Sequence, residues 1–342
     1  MSERLLECVP NFSEGKDERV LDAIARAVDA VPEVFLLHRD RGIAAHRTVF
    51  TFAGPPEAVV EAAFRAIAVA SERIDMRQHQ GAHPRMGACD VCPLIPLEGV
   101  TMEEAVRLAG ILAERVGRQF DIPVWLYEEA ASRPERRNLA DLRRGEYEAM
   151  AQKLQEREWM PDFGPQRLNP KTGVTAIGAR KFLVAYNVNL DTREAALARF
   201  IARRIRSKPA PDDSPESRAR RLPALKAIGW YIEEFQQVQV SMNLVDIAQT
   251  HPYTAFAAVR REAASLEVAV TGSELVGLIP RQALLDSGKA IAHDQEMILE
   301  DDNLLIELAA RTLRLDQHHP FTLEQRVLEY AYQKARGGLA PG

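Results

Sequence analysis

Cysteine is scarce: the 342 residues hold three, Cys8, Cys89 and Cys92. So few thiols exclude a disulfide framework and suit a reducing, cytoplasmic setting. No apolar run is long enough to span a bilayer as a helix, so no membrane partner is expected. Met1 to Phe12 shows no basic stretch followed by an apolar core, so no signal peptide is read. Long blocks of like charge are also missing. The net charge of -5 comes from interspersed acids and bases, which argues against nucleic acid as a partner. Nucleotide fingerprints are absent too: no Ser or Thr follows Lys181, the glycine spacing of a P-loop fails, and no dinucleotide motif opens a helix. Cys89-Asp90-Val91-Cys92 is half a zinc or redox motif without a second pair. On a strand, positions three apart face opposite sides. Buried cysteines and no metal site are therefore expected.

Hydrophobic content of 46% and charged content of 27% are those of an ordinary globular protein, with ample material for a core. The length suggests roughly two domains. Leu5 to Pro10 reads as a short strand, Asn11 to Gly15 as a turn, and Val20, Ile24, Ala27, Val28 and Val31 as a helix face ended by Pro32. Strands are expected at 34–37 and 47–52, and a helix from Pro55 with Val59, Val60, Ala63, Phe64, Ile67 and Ala70 inward. An apolar run from Val91 to Leu97 follows, then a capping box at Thr101-Met102-Glu103-Glu104 and a strand at 123–127. The residues from Met160 to Gly178 are rich in Pro and Gly and read as a linker or a functional loop. The second half gives a strand at 181–190, a helix after Thr192 and a polar surface loop from Ser207 to Arg221. Strands at 227–235 and 238–245, a helix from Thr254 and a strand at 268–270 follow, with Gly272-Ser273 as a turn. Pro280 starts a short helix, and Thr322 to Lys334 is a capped amphipathic one. Both halves thus order their elements as β-α-β-β-α-β, an α/β (α+β) arrangement with each sheet covered by helices on one face.

Three places could carry chemistry. Gln78-His79-Gln80-Gly81-Ala82-His83-Pro84-Arg85-Met86-Gly87 is a loop dense in titratable and permissive residues. Pro84 restricts the backbone of His83, and a His gives and takes protons near neutrality. Asp40 follows the apolar run Val34 to Leu37, where α/β sheets often place ligand groups. Gly173 to Arg180 ends in the cations Arg180 and Lys181 and offers backbone N–H groups to a carboxylate.

Several stretches together resemble one family, the formiminotransferases (glutamate formimidoyltransferases). They are Glu7-Cys8-Val9-Pro10-Asn11-Phe12-Ser13-Glu14-Gly15, Arg47-Thr48-Val49, His83-Pro84-Arg85-Met86-Gly87-Ala88 and Asp90-Val91-Cys92-Pro93. Pro161-Asp162-Phe163-Gly164-Pro165, Gly178-Ala179-Arg180-Lys181-Phe182-Leu183, Gly229-Trp230-Tyr231 and Ser273-Glu274-Leu275-Val276-Gly277-Leu278 continue the series in the family's order. The resemblance implies an N-terminal subdomain over 1–180, a C-terminal one over 181–330, a tail over 331–342 and a folate tunnel between the subdomains. It implies a homodimer and transfer of the formimino group from N-formimino-glutamate to tetrahydrofolate, a co-substrate, with no metal. The chain ends near where the family's first activity ends, so a single activity is expected. Position 46, usually Asn in the family, is His46.

On this resemblance His83 is the catalytic proton carrier and Asp40 the catalytic aspartate, which would orient His83 or stabilise the cationic amidine and the imidazolium. The folate-binding segment falls on Gly164, Pro165, Gln166, Arg167, Leu168, Asn169, Pro170, Lys171, Thr172 and Gly173. The substrates' carboxylates need cations, for which Arg85, Arg180 and Lys181 are the candidates. The competing expectations are a formyl donor, a 5-formyltetrahydrofolate cyclo-ligase and a folate-binding protein without turnover.

Overall fold

The computed structural model describes residues 4–208, 214–318 and 320–337. The chain divides into two compact units, Met1–Lys181 and Phe182–Gly342.

The first unit runs β1 (Leu6–Cys8), β2 (Asn11–Phe12), α1 (Glu18–Asp29), β3 (Phe35–Gly42), β4 (Arg47–Gly54), α2 (Pro56–Arg73), β5 (Cys89–Pro96), α3 (Met102–Phe120) and β6 (Val124–Glu128). It ends with α4 (Leu139–Leu142), α5 (Glu146–Lys153) and β7 (Thr175–Ala179). Asp17 caps α1 by accepting the Arg19 N–H at 2.9 Å, and Thr101 caps α3 by accepting that of Glu104 at 3.2 Å. The apolar stripes expected on α1, α2 and α3 are buried in one core with Leu6, Phe12, Phe50, Phe52 and Leu94. Strand β4 pairs antiparallel with β1, β2 and β3, and β1 and β2 also pair antiparallel with β5. The remaining strands are parallel, β5 with β7 and β7 with β6. Asp40, Val49, Asn11, Val91, Ala176 and Trp125 lie opposite one another across successive strands, so they share one face.

That face is opposite to α1, α2 and α3. Where Val91, Ala176 and Trp125 emerge it is covered by Leu142, Met150 and Leu154. The covering comes from 129–159, for which the sequence had suggested no element. The expectation of helices on one face thus gains an addition: α4 and α5 seal half of the other. The other half carries Asn11, Asp40 and Arg47.

Two sequence expectations are corrected here. Asn11-Phe12 is not a turn but a strand that continues β1 beyond Pro10. Gly173 to Arg180 is not a loop of free N–H groups, because Thr175–Ala179 is a fully buried strand between β5 and β6. Its amides belong to the ladder.

The second unit runs β8 (Val184–Leu190), α6 (Ala195–Ile205), α7 (Pro215–Arg220), β9 (Leu225–Ile232), β10 (Gln237–Leu244), α8 (Pro252–Ala264) and β11 (Val270–Val276). Then come α9 (Arg281–Asp294), α10 (Asp302–Leu313), α11 (Leu323–Arg326) and α12 (Leu328–Ala335). Its sheet has the order β11-β8-β10-β9 and is antiparallel throughout. Val184, Tyr186, Val188 and Leu190 alternate inward against α6, α8, α9 and α10. The β-α-β-β-α-β order holds, with α7 inserted. Part of the expected 207–221 loop is helix, and 209–213 lies outside the described residues. Gly272-Ser273 sits inside β11, where a register shift absorbs the extra residue. Thr322 to Lys334 is broken at Val327, which bridges to Ile279, and α12 carries helix into 331–335, the start of the expected tail. The residues 338–342 lie outside the described residues.

Candidate active site

The His83 loop joins α2 to β5 and is held at both ends. Ala82 N–H donates to the Ala44 carbonyl at 3.1 Å, and Met86 N–H to Asp90 Oδ1 at 2.9 Å. Beyond His83, Val174 N–H donates to the Met86 carbonyl and Ala88 N–H to that of Thr172. Gly87 and Gly173 permit this contact. A Cβ on Gly87 would lie 2.2 Å from the Val174 oxygen, and one on Gly173 2.3 Å from that of Met86. Gly173 also has a φ of +72°, which glycine adopts without strain.

Asp90 occupies its place because the pairing of β2 with β5 skips it. Asn11 faces Val91 and Phe12 faces Cys89. Such a bulge re-aims a side chain. Cys89 therefore joins the helix-side core with Cys8 and Cys92, against the expectation that Cys89 and Cys92 face opposite ways. All three thiols are free and buried, Cys8 Sγ lying 3.5 Å from Cys92 Sγ. Asp90 is fully buried and meets Arg47 instead: Arg47 Nη1 donates to Oδ2 at 2.6 Å and Arg143 Nη2 to the same oxygen at 2.5 Å. Burial works to raise the Asp90 carboxyl, but the two guanidiniums outweigh it and hold it well below the carboxylate range. Burial lowers Arg47 to about 10, against the pull of Asp90.

His83 stands beside this cluster. Its Nδ1 lies 2.7 Å from the Pro84 carbonyl. A carbonyl only accepts, so Nδ1 carries the hydrogen and Nε2 keeps the lone pair of the neutral ring. Burial, then the charges of Arg47 and Arg143, lower His83 from 6.5 to about 3, with Asp90 opposing. His83 is thus neutral at physiological pH.

The other expected residues divide. Arg85 is buried and engaged: Nη1 donates to Glu146 at 2.9 Å and Glu148 at 2.8 Å, and Nη2 to Glu148 at 2.6 Å. It braces the loop against α5. His79 donates from Nε2 to the His46 carbonyl at 2.8 Å and stacks on the His46 ring. His46, at a φ of +50°, fills the left-handed position that Asn tolerates well, and its ring reaches the Gln80 carbonyl and Glu14. Asp40 lies inside β3 rather than past its end, with Oδ2 3.7 Å from His38 Nε2. By register it shares the open half of the sheet face with Arg47.

Thr172 and Gly173, at the end of the 164–173 segment, dock on the His83 loop, and the Lys171 carbonyl accepts the Met76 N–H at 2.8 Å. Asn169 shapes that end, its Oδ1 accepting from the N–H groups of Lys171 and Thr172. Arg167 pairs with Asp121 at the far side. Arg180 and Lys181 follow the carboxyl end of β7, while Gly173 precedes its start. Five residues of strand, about 16 Å at 3.3 Å each, separate Arg180 from the level of Asp90. Arg180 Nη1 donates to the Lys181 carbonyl at 3.0 Å, and Arg180 and Arg143 both act electrostatically on the buried Tyr127.

Sequence reasoning missed Arg143 altogether and assigned no role to Arg47 or Asp90, although both stand in the quoted motifs. A signal for Arg143 existed in Asn138, which caps α4 by accepting the Ala140 N–H. Among the described residues no group of three or more His, Cys, Asp or Glu is placed to hold a metal ion.

The first unit thus gathers a neutral histidine, two arginines and a buried aspartate at one place on its sheet. Residues 5–180 match the formiminotransferase domain, N-terminal subdomain, and 185–333 the formiminotransferase domain. The chain belongs to the formiminotransferase family. It is similar to the formimidoyltransferase-cyclodeaminase of Mus musculus, 46% identical over 328 residues, which are 96% of this chain and 60% of the mouse protein. The glutamate formimidoyltransferases of Streptococcus pyogenes serotype M1 and Thermoplasma acidophilum are each 43% identical over 83% of this chain and 91% of their own. The chain thus spans about 60% of the length of its mouse relative and nearly all of the other two.

Proposed function

We propose that this protein transfers the formimino group of N-formimino-L-glutamate to tetrahydrofolate, giving 5-formiminotetrahydrofolate and glutamate. The observation that carries the reading is His83, neutral with its hydrogen on Nδ1, held beside Arg47, Arg143 and Asp90. His83 Nε2 takes the proton released as N5 of tetrahydrofolate bonds to the formimino carbon. The tetrahedral adduct then breaks its bond to the glutamate nitrogen, and His83 returns the proton to that nitrogen. Such a base and acid contributes about 10²–10⁴-fold. Asp40 is the proposed partner of the cationic amidine, supported by the resemblance and by its place on the same open face as Arg47. The 164–173 segment is the proposed folate contact, supported by the docking of Thr172 and Gly173 on the His83 loop. A homodimer in the cytoplasm is proposed on the resemblance, in keeping with three free thiols. No helix among the described residues is long and apolar enough to cross a membrane.

The test is an assay of the purified protein with tetrahydrofolate and either formimino-glutamate or formyl-glutamate, following the 5-substituted folate. Faster transfer from formimino-glutamate is expected. Preference for the formyl donor, or folate binding without any transfer, would overturn the reading.

A further inference from the structure

We propose that Arg143 and Arg47 form the receptor for the α-carboxylate of the amino-acid donor, with Asp90 as the buried carboxylate that holds the two guanidiniums side by side. The inference rests on the formimino-transfer reading and adds the groups that recognise the donor.

Charge makes the first argument. Two guanidiniums converge on one carboxylate, and Asp90 spends its other oxygen on the Met86 N–H. The cluster therefore keeps one positive charge in excess. Its side chains are 8%, 16% and 0% exposed for Arg47, Arg143 and Asp90. Charge so far from water is costly unless an anion completes it. Donors remain for that anion: Arg143 Nε is buried and has no hydrogen-bond partner among the described residues. A planar guanidinium suits a carboxylate, which it can engage through two parallel bonds.

Place makes the second. Both arginines act electrostatically on the His83 ring, and the Asp90 that joins them also accepts the Met86 N–H of the His83 loop, so the cluster belongs to the neighbourhood of the proposed base. In the donor, the α-carboxylate is attached to the carbon that bears the reacting nitrogen. In folate, the glutamyl carboxylates lie beyond the aminobenzoyl group from N5. The donor's α-carboxylate is the one bonded closest to the reacting nitrogen.

Elimination and support complete the case. Arg85 is committed to Glu146 and Glu148, and Arg180 Nη1 donates to the Lys181 carbonyl. Arg143 stands at the C-terminal cap of α4, and its backbone is pinned by Lys153. That ammonium donates to the carbonyls of Asp141 at 2.6 Å and Leu142 at 2.8 Å and lies over the Trp159 ring. A cation on so fixed a stem loses little freedom when it binds.

The experiment crosses two donors with three enzymes. The donors are N-formimino-glutamate and N-formimino-γ-aminobutyrate, which lacks the α-carboxylate. The enzymes are wild type, Arg143→Lys and Arg143→Met. Loss of a charged hydrogen-bond partner is expected to lower kcat/KM for formimino-glutamate by about 10- to 100-fold in Arg143→Met, chiefly through KM. The Lys variant should fall between. With the truncated donor, wild type and both variants should agree within about threefold, because the contact is already gone. KM for tetrahydrofolate should hold throughout. Equal loss with both donors, or a raised KM for folate alone, would overturn the assignment. The truncated donor tests wild type without any variant, so misfolding cannot mask the result. If wild type transfers nothing from formimino-glutamate, the proposed function fails rather than the receptor.

Discussion

At the scale of residues, the site is a problem in charge placed beside a base. His83 is lowered from 6.5 to about 3, first by burial and then by two arginines, so it is neutral and fit for the proposed role of base. The sign of the stability effect follows. Between those values the unfolded chain binds the proton and the folded chain does not, so stability falls as pH drops through that window. His83→Asn should lose less melting temperature than wild type between about pH 7.5 and about pH 5, while slowing transfer by about 10²–10⁴-fold. In wild type, kcat/KM should show no acid limb near 6.5; half-loss of kcat/KM there would contradict a neutral His83 in the free enzyme. Asp90 works the other way. Its folded value is depressed by Arg143 and Arg47, so its contribution is present above the ordinary 3.8 and is lost as pH falls through the folded value. Asp90→Asn leaves two buried guanidiniums against a neutral amide, which should cost about 3–5 kcal/mol. Urea denaturation near neutral pH measures this. A cost below about 1 kcal/mol would mean that the cluster relaxes without its carboxylate.

At the scale of elements, the loop is productive because two glycines let it lie against the start of β7. Gly87→Ala would set a Cβ 2.2 Å from the Val174 oxygen, a backbone atom that cannot swing aside. The variant should lose about 1–3 kcal/mol, as overpacked sites do, and lose activity with it. A crystal or spectroscopic comparison showing the loop unmoved and the enzyme fully active would refute this account. The bulge at Asp90 is the other decisive local feature. Helices were legible because α1, α2 and α3 carry apolar residues at helical spacing and polar caps. The bulge was not, because the repeat Cys89-Asp90-Val91-Cys92 reads the same whether or not one residue is skipped. Plain alternation sends Asp90 to the helix side. Only the partner strand, with Phe12 opposite Cys89, turns it toward Arg47. Nor was β7 legible: Val174-Thr175-Ala176-Ile177-Gly178-Ala179 has little bulk, and its small residues suit a buried central strand packed by its neighbours.

At the scale of the whole molecule, each unit has its own buried core and its own sheet. Independent cores of this size are the mark of autonomous domains. A fragment of residues 1–181 is therefore expected to melt cooperatively by circular dichroism; a broad, featureless transition would argue against its autonomy. The repeated element order, the low thiol count and the capped helices were all determined by sequence, because composition, periodicity and capping are properties of residues and their neighbours along the chain. The choice of cations was a tertiary matter. Arg85 and Arg143 look alike in sequence, each beside a turn. Folding gives Arg85 to Glu146 and Glu148, and brings Arg143 across 53 residues to share Asp90 with Arg47. Which charge is spent and which is left for a ligand depends on partners distant in sequence, and only the packed chain sets those distances.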